Sequence, residues 1–115
     1  RNSKDIDKAI VKYRNSNKDI VIGITPSHRN PYLNMVIKKN NNIKIVVNKK
    51  NYYRRQDVPK TYDVTTAVYI SNQKYLKETN NILSGKVGYI EIPKDRSIDV
   101  DDKFDLKIAR LLVKK

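Results

Sequence analysis

Apolar residues in the first segment, SKDIDKAIVKYRN (3–15), recur at Ile6, Ala9, Ile10 and Tyr13. The i, i+3, i+4, i+7 spacing predicts an amphipathic helix. Asn2 or Ser3 would cap it, with Asp5 and Asp7 in the first turn, where the helix dipole favours negative charge. The pattern then changes. DIVIGIT (19–25) is a short, nearly continuous run of apolar and β-branched residues, which predicts a strand buried on both faces, as in parallel sheets. A helix followed by a buried strand is half of an α/β repeat.

PSHRNPYLN (26–34) is rich in turn-forming residues, and MVIKK and IKIVV then flank NNN, which predicts a β-hairpin with a polar turn. The Asn/Lys tract from 38 to 51 reads as that turn and its rims. TTAVYIS (65–71) predicts a strand, NQKYLKE a short helix from Asn72, and KVGYIEIP a strand closed by Pro93. In DDKFDLKIARLLVKK, Phe104, Ile108, Leu111 and Leu112 form a helical stripe. Lys114 and Lys115 sit at its C-terminal end, where the dipole favours them. The expected fold is an incomplete α/β domain carrying an inserted β-hairpin at about 31–60.

At 115 residues the chain has room for one domain, and 38% apolar content supplies a modest core. The chain has no cysteine, so disulfides, thiolate metal sites and cysteine nucleophiles are excluded. The formal charge is +13, which raises nucleic-acid binding as a function. The lysines are scattered, however, with no zinc-finger, basic-zipper or RNA-recognition signature, so they read as solvated faces. No run approaches the roughly 18 apolar residues of a membrane span. Neither nucleic acid nor membrane is therefore expected as a partner, and the cytoplasm is the default location.

Two short segments could carry chemistry. RRQDVP (54–59) places two arginines and a glutamine ahead of a stiffening proline. A guanidinium fork binds carboxylate or phosphate through two hydrogen bonds, which points to an anion; a solvated strand rim is the plain alternative. DRSIDVDDKFD (95–105) joins the strand ending at Pro93 to the last helix, the kind of loop where α/β sheets bind ligands. In an extended backbone Asp99 and Asp101 point to the same side, and such a pair can hold Mg²⁺ together with waters and substrate phosphates. The alternative is that Asp101 or Asp102 caps the helix, and Asp102 is assigned to capping. His28 is the sole histidine, with no partner nameable from sequence, and the three glycines form no phosphate-cradling loop.

YRRQDVPKTYDVTTAVYI followed by RSIDVDDKFDLKIA resembles, in order and separation, part of the acylneuraminate cytidylyltransferases. These are the CMP-sialic acid synthetases and their relatives acting on other nonulosonic acids. HRNPYLNMV is similar to the loop entering that family's dimerisation hairpin, and RNSKDID to the helix after its SPLR segment. The resemblance runs over nearly the whole chain and implies the C-terminal half of a three-layer, Rossmann-like nucleotidyltransferase domain. The implied reaction joins CTP to a sialic- or legionaminic-type sugar acid, giving a CMP-sugar and pyrophosphate with Mg²⁺ as cofactor. Carried over by position, Asp99 and Asp101 match the metal-binding pair. Arg55 matches an arginine reaching the sugar acid from the partner subunit of a homodimer, with Gln56 beside it. Tyr69 matches a tyrosine near the sugar pocket.

Some positions depart from the family pattern. Leu33 stands where some members have lysine, and Thr65 and Thr66 where Asn or Gly is frequent. Ile82 and Leu83 replace an aromatic pair. These bear on which sugar is used and leave the reaction class unchanged. The family's N-terminal CTP-phosphate loop is not present in this sequence, so the chain alone is expected to be inactive. The competing expectations are a small basic nucleic-acid-binding module and an inactive remnant keeping the dimerisation region.

Overall fold

The computed structural model describes residues 1–48 and 54–113. The end of the Asn/Lys tract and Lys114 and Lys115 lie outside the described residues. The chain divides into two compact units, residues 1–25 with 64–115, and residues 26–63.

The first unit opens with helix α1 (Ser3–Asn15), whose N-cap Asn2 accepts a hydrogen bond from the Lys4 backbone N–H. Strand β1 (Ile20–Pro26) follows as the middle of a three-stranded sheet, between β4 (Tyr62–Ser71) and β5 (Val87–Glu91). β5 runs parallel to β1, in a register from Ile20 opposite Val87 to Ile24 opposite Glu91. The expected doubly buried strand is observed: Ile20, Val21, Ile22 and Gly23 are all buried. Short helix α2 (Gln73–Glu78) begins where expected, with Asn72 accepting from the Tyr75 N–H. Helix α3 (Lys103–Val113) ends the described chain.

α1 packs against β5. Its Ala9 joins Val21, Val68 and Ile92 in the core, flanked by Tyr13, Ala67, Ile70 and Ile90. Full burial of side chains such as Ile92 and Val21 contributes roughly 1.5–3 kcal/mol each. The helix face is not the one the pattern predicts throughout, because Ile6 is 45% exposed while Asp5 is buried. The reason is electrostatic and lies in the site below. Gly23 is needed for this packing: an added Cβ would meet Ile92 Cδ1 at 2.7 Å, Thr65 Cγ2 at 3.2 Å and Val68 Cγ1 at 3.3 Å.

The second unit holds the predicted hairpin, β2 (Val36–Lys39) antiparallel to β3 (Asn42–Ile45). Asn40 in its turn has φ 56°, a left-handed conformation that asparagine tolerates better than most residues. The overall class is mixed α/β, as the sequence predicts. No helix among the described residues is long and apolar enough to cross a membrane.

Candidate functional site

The loop between β5 and α3 carries the aspartates. A single 3₁₀ turn, Lys94–Arg96, leaves the strand, and residues 97–101 follow without regular structure. Ser97 anchors the loop by donating from its hydroxyl to the Pro93 carbonyl at 2.8 Å. At the far end Asp102 caps α3, its Oδ1 accepting from the Asp105 N–H at 2.8 Å. Asp105 in turn accepts from the Asp101 N–H at 3.1 Å. The capping role expected of Asp102 is therefore observed, and the Asp101 carboxylate is left out of it.

The loop is fastened to the rest of the unit at two points. Arg96 donates a two-pronged pair of bonds to Asp5 in the first turn of α1, Nε to Oδ2 and Nη2 to Oδ1, both 3.0 Å. The Arg96 hydrogen bonds hold the Asp5 carboxyl below its ordinary range, overcoming the opposing effect of burial, and the Arg96 pKa is raised in return. This pair explains why the α1 face turns Asp5 inward in place of Ile6. The second fastening is Thr66 on β4, whose hydroxyl donates to Asp99 Oδ1. Arg1 lies beside both, with Nη2 3.4 Å from Thr66 Oγ1 and 3.7 Å from Asp99 Oδ1. A cavity of about 260 Å³ opens next to this cluster, lined by Arg1, Asn2, Ser3, Asp5, Ile6, Ala67 and Arg96. Tyr69, three residues beyond Thr66 on β4, is 42% exposed.

Among the described residues no three His, Cys, Asp or Glu side chains converge as a metal cluster. A closed protein cage is therefore not formed by them. The chemistry of the available donors still suits a hard cation that needs only one or two carboxylates. Asp99 Oδ2 and both Asp101 carboxylate oxygens accept no hydrogen bond among the described residues. Asp101 is exposed and Asp99 half-buried.

In the second unit, the arginine–glutamine segment precedes strand β4 as a 3₁₀ turn, Arg55–Asp57. Arg54 is exposed and pairs locally: its Nε donates to Asp57 Oδ2 at 3.1 Å and its Nη2 to Asp57 Oδ1 at 3.4 Å. Arg55 and Gln56 are exposed; the Arg55 carbonyl accepts from the Val58 N–H at 3.4 Å, and their side chains make no hydrogen bond or ion pair among the described residues. The segment is braced from behind by Asn30, which is 6% exposed. Asn30 Nδ2 donates to the Pro59 carbonyl at 3.0 Å, and its Oδ1 accepts from the Tyr32 N–H at 2.9 Å. Ser27 and Thr61 add a further tie, their hydroxyls 2.6 Å apart. His28 is exposed. Asp99, Asp101 and Tyr69 thus belong to one unit, and Arg55 and Gln56 to the other.

Sequence reasoning missed Asp5, Arg96, Thr66 and Asn30 as supports. The partner types were visible, but each pairing except the turn around Asn30 spans a long stretch of chain. Only Asn30, a turn-former directly before Pro31, carried a local signal.

Comparison with curated proteins gives two relatives. The chain is 32% identical over 115 residues to a post-translational flagellin modification protein B of Campylobacter coli, covering 99% of this chain and 48% of that protein. It is 34% identical over 94 residues to a CMP-N,N'-diacetyllegionaminic acid synthase of Campylobacter jejuni, covering 81% of this chain and 39% of that protein. Part of each of these two proteins is thus similar to this chain. The chain spans about half the length, or less, of the curated relatives it matches. No protein-family model matches it.

Proposed function

We propose that this chain supplies the metal-binding and sugar-acid-binding part of a cytidylyltransferase that converts CTP and a sialic- or legionaminic-type acid to a CMP-sugar and pyrophosphate. The observation carrying this reading is the 34% identity to a CMP-N,N'-diacetyllegionaminic acid synthase. In the reaction, the anomeric hydroxyl oxygen of the acid bonds to the α-phosphorus of CTP and loses its proton. The bond from that phosphorus to the bridging oxygen breaks, and pyrophosphate leaves. On this reading the three-stranded sheet is part of a three-layer, Rossmann-like nucleotidyltransferase fold.

Asp99 and Asp101 are the residues that would hold Mg²⁺. When bound, the ion neutralises charge on the triphosphate and on the departing pyrophosphate. Arg55 offers its fork to the carboxylate of the sugar acid, a geometry that a lysine cannot reproduce, and Gln56 adds a hydrogen bond to the sugar. Tyr69 borders the sugar pocket. Arg55 and Gln56 act across a homodimer, on the partner's substrate. The chain has no glycine-rich phosphate loop, so the CTP phosphates are bound by other residues of the whole enzyme, and the chain by itself is inactive.

The test is pyrophosphate release from CTP, by the whole protein carrying this sequence, with N-acetylneuraminic and legionaminic acids and Mg²⁺. Release should require the sugar acid and fall in Asp99→Asn and Asp101→Asn by more than the roughly 10–100-fold that loss of an outer-shell partner typically costs. No release with any nonulosonic acid, or full activity in both variants, would overturn the proposal.

A further inference from the structure

We infer that Thr66 is a positioning residue for the cation site, orienting Asp99 so that one of its oxygens stays open to the metal. This rests on the reading of Asp99 and Asp101 given above.

β4 sets the side chain's direction. Thr65 is buried, at 2% exposure, and its Oγ1 accepts from the Ala67 N–H at 3.0 Å. Thr66, the next residue along the strand, is exposed, and its hydroxyl meets Asp99 Oδ1. The polarity of that contact is fixed by its neighbours. Arg1 can only donate and an ionised carboxylate can only accept. The Thr66 hydroxyl between them must therefore accept from Arg1 and give its one proton to Asp99. A hydroxyl committed in this way fixes Oδ1 and with it the carboxylate, while Oδ2 carries no hydrogen bond among the described residues. A partner that orients a ligating carboxylate in this manner typically changes metal affinity 10–100-fold when removed.

The position also explains why a threonine can stand here. The function requires a short side chain with one donor at this distance from the loop. Serine would retain it, whereas valine keeps the shape and removes the donor.

The experiment is a Mn²⁺ titration of the protein carrying this sequence, read by the loss of free-ion signal in electron paramagnetic resonance, with and without CTP. Thermal melting of each variant is recorded alongside. Thr66→Val should weaken Mn²⁺ binding by about tenfold or more with little change in melting, and Thr66→Ser should restore affinity close to the parent's. Parental Mn²⁺ affinity in Thr66→Val would overturn the inference, as would equal losses in the valine and serine variants. Asp99→Asn and Asp101→Asn separate this from the underlying reading. If both aspartate variants lose Mn²⁺ while Thr66→Val does not, only the role of Thr66 fails. If the parent does not bind Mn²⁺, or the aspartate variants bind as the parent does, the metal assignment fails and the inference with it.

Discussion

Asp5 shows how a single carboxylate can redirect a helix. By hydrophobic spacing Ile6 belongs on the inner face of α1, yet Asp5 occupies it because the Arg96 fork satisfies both carboxylate oxygens. The pair fastens the aspartate-bearing loop to α1, and its pH dependence follows from the lowered pKa. A carboxyl whose folded pKa lies below its unfolded value binds more protons unfolded, so stability rises with pH through that window. The contribution is complete above the ordinary carboxylate range and is lost as pH falls through the depressed folded value. Urea melts at stepwise lower pH should show the parent losing more stability in acid than Asp5→Asn. Identical acid losses in the two proteins would refute the assignment. None of this was legible in the sequence, where Asp5 read as a dipole-favoured residue. Its partner lies 91 positions away, beyond any local pattern. Asp102, by contrast, was legible, because a cap acts within its own helix turn.

At the level of elements, the sequence pattern predicted the α-helices and strands found among the described residues but not the two 3₁₀ turns, Arg55–Asp57 and Lys94–Arg96. Nor did it predict which faces become covered. The stripe on α3 exists, but Phe104 is 69% exposed and Leu111 60%. Coverage depends on what packs against a helix, and no residue of α3 is buried by the described chain. Within the candidate site, Asp99 and Asp101 stand out in the sequence through their spacing, whereas nothing local ties Thr66, 33 positions away, to Asp99. In β1 the glycine has a reason that appears only after folding. Gly23→Ala should cost roughly 1–3 kcal/mol by overpacking against Thr65, Val68 and Ile92. Chemical denaturation would measure it, and an unchanged midpoint would show that Ile92 moves aside freely.

At the scale of the whole molecule, both faces of the hairpin mix lysines with exposed apolar residues. The register places Val36, Lys38, Ile43 and Ile45 on one face, with Val36 50% and Ile43 66% exposed. A face with two exposed branched residues suits the second copy in the proposed homodimer, where buried anchors typically contribute more than 1 kcal/mol each. Sedimentation of the protein carrying Val36→Lys with Ile43→Lys should show at least about tenfold weaker self-association. Undiminished self-association would place the dimer contact elsewhere.

The parallel register of β1 with β5 also dictates an order of events during synthesis. Residues 20–24 can find 87–91 only after nearly everything between them has been made, and closing so long a loop is slow compared with forming neighbouring contacts. The hairpin, whose pairs lie within ten residues of one another, can form long before. The most apolar segment of the chain, IVIGI, therefore has no strand partner until β4 has been made, and its second edge stays open until β5 follows. During that interval it is the natural client for a chaperone and the most exposed route to aggregation.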